Sequence, residues 1–294
     1  MASPRTASPA RPTHRPGRGL LAQGLRGIGL LLLCALALQL YFVARIGLMA
    51  GLAPQSTTFQ RSEIWRLAVD KHQVAWAQAW VDDGQISAAL KRAVIASEDA
   101  GFVEHSGVEW DALEKAWSRN QRAEAQAERR QAQAERQQAQ ADRRQAQAER
   151  RQAEPDKRPP PPGARPRPVI EPKLVGGSTI TQQLAKNLFL SGERTGLRKA
   201  QEWLLTLALE GLLGKRRILE IYLNSVEWGE GLFGAQAAAR YYFRTDAARL
   251  DASAAARLAV MLPAPKRFEK NPGSAYVLGR AATISARMPA VALP

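Results

Sequence analysis

Residues 95–111 read IASEDAGFVEHSGVEWD. Glu98 and Asp99 stand side by side, Phe102, His105 and Gly107 follow at short intervals, and Glu109 and Asp111 close the run. An acid at the end of an amphipathic helix needs only solvent. An acid ringed by an aromatic side chain, an imidazole and a glycine points instead to a proton-handling site.

Three further stretches carry groups that could bind charge. In GGSTITQQLAKN (176–187), Gly176 and Gly177 permit a tight turn, Ser178 is a natural N-cap, and Ile180, Leu184 and Leu188 form the buried stripe of the helix that follows. Gln183, Lys186 and Asn187 share another face of that helix. Free N–H groups, a hydroxyl and a lysine resemble an anion cradle, although the spacing is not that of a P-loop, and a capped amphipathic helix with a polar outer face explains the same residues. In LRKAQE (197–202), Arg198 and Lys199 lie four and three residues before Glu202, so one helix face presents two cations and a carboxylate, which surface ion pairing would also explain. Lys215, Arg216 and Arg217 open another helix with the stripe Ile218, Leu219, Tyr222 and Leu223. The glycine- and alanine-rich WGEGLFGAQAAARYYF (228–243) suits close approach of helices or of a ligand.

These residues need elements to hold them. From Gly27 to Ala44 the chain has 18 residues without a charge, bracketed by Arg26 and Arg45. At about 1.5 Å per residue this approaches the roughly 30 Å of a bilayer's hydrocarbon layer, and Ile46–Ala53 can extend it. A cleaved signal peptide has a shorter apolar core, so the expectation is an uncleaved anchor over 27–50. Residues 1–26 carry five arginines and no acid and are expected to form a disordered cytoplasmic tail. The rest of the chain then lies outside the cytoplasmic membrane.

Beyond the anchor, helical spacing dominates 56–118 and 173–288, and the expected fold is mainly α. Between them, residues 124–151 run in near-exact heptads of Ala, Gln, Glu and Arg. Alanine alone at the apolar positions buries too little for a stable coiled coil. Prolines from Pro155 to Pro172 then enforce an extended return, so 119–172 is expected to be an arm inserted into the domain at 56–288. The net charge of +15 suggests an anionic partner, but the tail and this arm each hold +5 of it, and no aromatic–basic stripe accompanies it. Nucleic acid is therefore set aside. Cys34 is the only cysteine, which rules out an intrachain disulfide and any multi-cysteine zinc site.

Taken in order, EDAGFVEHSG, GGSTITQQLAKN, RKAQE, KRRILEIYLN and GEGLFGAQAAARYYF resemble the successive motifs of the peptidoglycan glycosyltransferases, over about 56–118 and 173–288. The resemblance implies a lysozyme-like domain. With no Ser-x-x-Lys or Lys-Thr-Gly in the chain, it implies a monofunctional transglycosylase without a transpeptidase partner domain. It implies transfer of a growing glycan strand from undecaprenyl pyrophosphate to the 4-hydroxyl of lipid II with inversion, at the outer face of the bacterial inner membrane.

Carried over residue by residue, it makes Glu98 the base and Glu202 a second essential glutamate that could help hold a divalent ion, Mg or Mn. Lys186, Arg198 and Lys199 become pyrophosphate-binding residues, with Ser178, Gln183 and Asn187 beside them. Asp99, about 100° from Glu98 around a helix, is expected to orient its surroundings, and His105 and Glu109 to support the site. Glu109 departs from the family's aspartate while keeping its charge, and the 119–172 arm is longer than the family's link. Two other readings use the same residues: a lytic enzyme that cleaves glycan strands, which needs the glutamate but not the cationic face, and a non-catalytic anchored scaffold that recruits cell wall synthesis proteins.

Overall fold

The computed structural model describes residues 17–108, four helical positions at 122, 126, 129 and 133, and residues 178–190 and 195–294. Glu109, Gly176, Gly177 and nearly all of the heptad and proline-rich arm lie outside the described residues.

Helix α1 spans Gly17–Leu48. It starts ten residues before the expected span, inside the segment read as a tail, because Leu20, Leu21, Ala22 and Leu25 are good helix formers with no proline after Pro16. Its stretch Ala22–Leu48 is long and apolar enough to cross a membrane, and none of its most apolar window is buried against the rest of the protein. Its last turns do dock. Gln39 and Gln201 exchange amide hydrogen bonds of 2.7 and 3.1 Å, Phe42 packs edge-on to Phe189, and the Arg217 guanidinium donates to the Met49 carbonyl.

The body is mainly α. Helix α2 (Thr58–Asp70) starts from a Thr57/Gln60 capping box, and α3 (Ala88–Glu98) runs through the core, burying Leu90, Ala93, Val94 and Ile95. Helices α4 (Ile180–Phe189), α5 (Gly196–Leu212) and α6 (Lys215–Ser225) pack on one another. Helix α7 (Ala235–Phe243) buries a run of alanines. Helices α8 (Ala252–Met261) and α10 (Ala275–Arg287) flank α3, and the short α9 (Pro265–Phe268) lies between them in sequence.

A small sheet joins the two halves of the chain. Strand β1 (Ala77–Gln78) pairs in parallel with β3 (Leu232–Phe233), and β2 (Glu227–Gly229) pairs antiparallel with β3, with a bulge between Glu227 and Gly229. The glycines of the 228–243 motif serve backbone contact: Gly231 sits at φ +69°, where a Cβ would lie 2.1 Å from the Ala75 carbonyl oxygen. Trp228 of β2, Phe233 of β3, Tyr222 of α6 and Phe102 are the largest fully buried side chains among the described residues.

Candidate active site

Helix α3 ends at Glu98, with Asp99 as its C-cap, and their adjacent carboxylates diverge. The Glu98 side chain meets α4: the Gln183 amide donates to Glu98 Oε2 at 3.0 Å, and the Ser97 hydroxyl makes a longer contact of 3.4 Å with Oε1. Gln183 is itself fixed from behind, since the fully buried Tyr222 hydroxyl donates to its Oε1 at 2.9 Å. The hydroxyl orients the amide, and the amide then presents N–H to the carboxylate. Burial raises the Glu98 pKa above the usual carboxylate value and the charge of Asp99 adds to the rise, while the Gln183 and Ser97 hydrogen bonds oppose it. Tyr222 is held well above its ordinary pKa, by burial first and then by Glu98 and Asp99, so its hydroxyl stays a donor.

Asp99 is 4% exposed and faces the other way. Its Oδ1 pairs with His105 Nε2 at 2.8 Å, and its Oδ2 accepts the Ile180 N–H at 3.0 Å. The Gly107 N–H donates to His105 Nδ1 at 3.1 Å, which assigns the imidazole proton to Nε2, facing Asp99. Gly107 has φ +83°, and its carbonyl accepts from the Thr179 hydroxyl at 2.6 Å. These bonds tie the 99–107 loop to the start of α4 and thereby set Glu98 against Gln183.

The start of α4 differs from the reading as an anion cradle. The N-cap is Thr179, not Ser178, because Thr179 has Gln182 three residues on and closes a reciprocal capping box. With Asp99 on the Ile180 N–H and Thr179 on the Gln182 N–H, the chain's own groups occupy these donors. Ser178 is exposed, and its carbonyl lies 3.4 Å from the Gln183 amide.

Beside Glu98, a cleft of about 380 Å³ is lined by Gln183, Lys186, Asn187 and Arg198 together with Phe59 and Glu227. Glu202 is buried beneath it and takes Arg198 Nη1 on Oε2 at 3.1 Å and Lys199 on Oε1. Lys199 is half exposed. Both Glu202 oxygens are thus committed to cations, and no group of three or more His, Cys, Asp or Glu that could hold a metal occurs among the described residues. This donor set does not fit a divalent ion. Its geometry suits Glu202 to aiming the two cations.

Sequence reasoning missed Tyr222, read there only as a stripe residue, and Glu227. A phenol in a fully buried stripe and a lone acid between Val226 and Trp228 were the available signals.

A mainly α, lysozyme-like body with a part-buried glutamate, Glu98, beside a cleft lined by the cations Lys186 and Arg198 is the layout of an enzyme that makes or breaks glycosidic bonds. A family model described as transglycosylase matches residues 68–133 and 170–289. The chain is 44% identical over 260 residues to a biosynthetic peptidoglycan transglycosylase of Paraburkholderia phytofirmans, covering 88% of each chain. It is 43% identical over 288 residues to one of Burkholderia pseudomallei, covering 98% of this chain and 94% of that one. The chain belongs to the peptidoglycan transglycosylase family and is a glycosyltransferase of cell wall synthesis.

Proposed function

We propose that the enzyme polymerises lipid II, passing the growing strand from undecaprenyl pyrophosphate to the sugar 4-hydroxyl of the next lipid II. Replacing an α-linked pyrophosphate by a β-linkage inverts the anomeric carbon in one displacement, which requires a base on the incoming hydroxyl. Glu98 takes that proton. Its raised pKa makes it a stronger base than a solvated glutamate, and Gln183, locked by Tyr222, holds its carboxylate in place.

Negative charge grows on the leaving pyrophosphate as the bond breaks. Arg198 and Lys199, aimed by Glu202, and Lys186 across the cleft balance that charge. No step is assigned to a metal. Asn187 lines the same cleft, and the exposed Ser178 stands beside Gln183.

The helix Ala22–Leu48 anchors the enzyme in the inner membrane with its N-terminus in the cytoplasm, since five arginines and no acids precede the apolar run. The catalytic domain at 56–288 then works at the periplasmic face, where both lipid-linked substrates are held. The observation that carries this reading is the Tyr222–Gln183–Glu98 relay opening beside a cleft with fixed cations. Purified protein given labelled lipid II and, in parallel, preformed glycan strands tests it. Polymer from lipid II is expected, and shortened strands without polymer would refute it.

A further inference from the structure

Two polar side-chain atoms of the cleft-lining residues are enclosed without a hydrogen-bond partner: Arg198 Nε and Glu227 Oε1. Glu227 lies on β2 and is 6% exposed. The facing cation is Lys266, on α9, whose Nζ stands 3.4 Å from Glu227 Oε1 while it bonds Glu63 Oε1, on α2, at 2.6 Å. Glu63 is further engaged by Arg66, which reaches on to Glu230. Glu269 accepts the Glu230 N–H at 2.6 Å. Glu227 therefore stands among Glu63 and Glu269, two other carboxylates, with one shared cation and with Arg198 and Lys186 on the same cleft. An enclosed oxygen held only by a 3.4 Å ion pair has capacity left for a hydrogen bond when a ligand arrives.

We propose that Glu227 contacts the lipid-linked substrate as a neutral carboxyl, donating its proton in a hydrogen bond to an oxygen of the pyrophosphate held by Arg198 and Lys186. Substrate binding then draws a proton from solvent onto Glu227. This deepens the proposed pyrophosphate role of the cleft and rests on it. Ionised, Glu227 would set a negative charge against a pyrophosphate diester that is itself fully ionised. Neutral, its hydroxyl can donate to the anion in a cleft that Arg198 also lines, as protonated carboxyls do in oxyanion sites. The required state is within reach: burial, with the charges of Glu63 and Glu269 adding and Lys266 opposing, lifts the Glu227 pKa to about 7. An arriving anion raises it further.

Full-length protein in detergent is titrated calorimetrically with a short-chain lipid-linked sugar pyrophosphate, a diester with no group titrating near neutrality. Two buffers of different ionisation enthalpy are used at pH 8, and affinity is followed from pH 6 to 9. Wild-type protein is expected to take up most of a proton, and its affinity to fall towards tenfold per pH unit above 7, the limit for one linked proton. Glu227→Gln keeps the shape and the donor; it should lose that uptake and hold its affinity nearly constant with pH. Glu98, present in both proteins, cancels in the comparison. Binding without uptake, or uptake unchanged in Glu227→Gln, overturns this proposal alone. Net proton release by wild type that vanishes in the variant also overturns it, since the contact would then need the ionised form. Absence of binding by both proteins at every pH overturns the pyrophosphate reading and this proposal with it.

Discussion

Replacing Asp99 by asparagine should unfold the enzyme more readily than it disturbs chemistry, whereas replacing its neighbour Glu98 by glutamine should do the reverse. Asp99 is 4% exposed and receives two donors, His105 Nε2 at 2.8 Å and the Ile180 N–H at 3.0 Å. Hydrogen bonds to a charged group contribute about 1.5–3 kcal/mol each. Asparagine keeps one acceptor and turns an N–H₂ towards the other donor, so one bond is lost and a buried donor is left facing a donor. Its missing charge also removes the favourable interaction with the N-terminus of α4, about 0.3–1 kcal/mol. The sum is about 2–4 kcal/mol, or a melting temperature lower by about 5–12 °C for a domain of this size.

Glu98→Gln has the opposite sign. The folded pKa of Glu98 is raised, so its contribution to stability is fully present below the unfolded value of 4.5 and is lost as pH rises through the folded value. The amide escapes that loss, and the variant should match or exceed wild-type stability at pH 7.5, with the gap closing towards pH 4. Thermal unfolding of both variants and wild type in detergent at several pH values checks this. Equal melting of Asp99→Asn and wild type, within about 0.5 kcal/mol, would refute the division of labour between the two acids.

Lys199→Ala and Arg198→Ala should slow strand transfer in single turnover more than they weaken lipid II capture. Arg198→Ala should also cost about 1–3 kcal/mol by stripping a partner from the buried Glu202, whereas the half-exposed Lys199 should cost under about 1 kcal/mol. Gly107→Ala puts a Cβ 2.7 Å from Thr206 Cγ2 and 2.8 Å from Glu210 Cγ at φ +83°, and chemical denaturation should record a loss of about 2–5 kcal/mol. Deleting 134–169 removes only residues outside the two segments that match the family, so the shortened protein should unfold cooperatively and still polymerise lipid II; loss of cooperative unfolding would show the segment to be part of the fold.

Much of the fold was legible because it rests on local pattern. The uncharged run 27–44 announced α1, and the four-residue spacing of Ile180, Leu184 and Leu188 announced α4. The N-cap of α4 was legible but misread: Thr179 has a glutamine three residues later and Ser178 does not. The sheet was not legible, since strands of two and three residues are too short to alternate. Nor were the placements of Tyr222 against Gln183 and of Glu227 in the cleft wall, because each depends on a partner or wall brought from afar. The Ile180 N–H that meets Asp99 is 81 residues away in sequence, and Gln183 lies 39 residues from Tyr222. Spacing within a motif reveals a helix face but not what fills it.

The central claim is that Glu98 is the base of glycosyl transfer. It is tested most directly by the rate at which purified Glu98→Gln converts labelled lipid II into glycan polymer, measured beside wild type under conditions where both are folded. A general base contributes about 10²–10⁴-fold, so the variant should be slower by at least about a hundredfold. A folded Glu98→Gln enzyme that retains more than about a tenth of wild-type turnover would contradict the account.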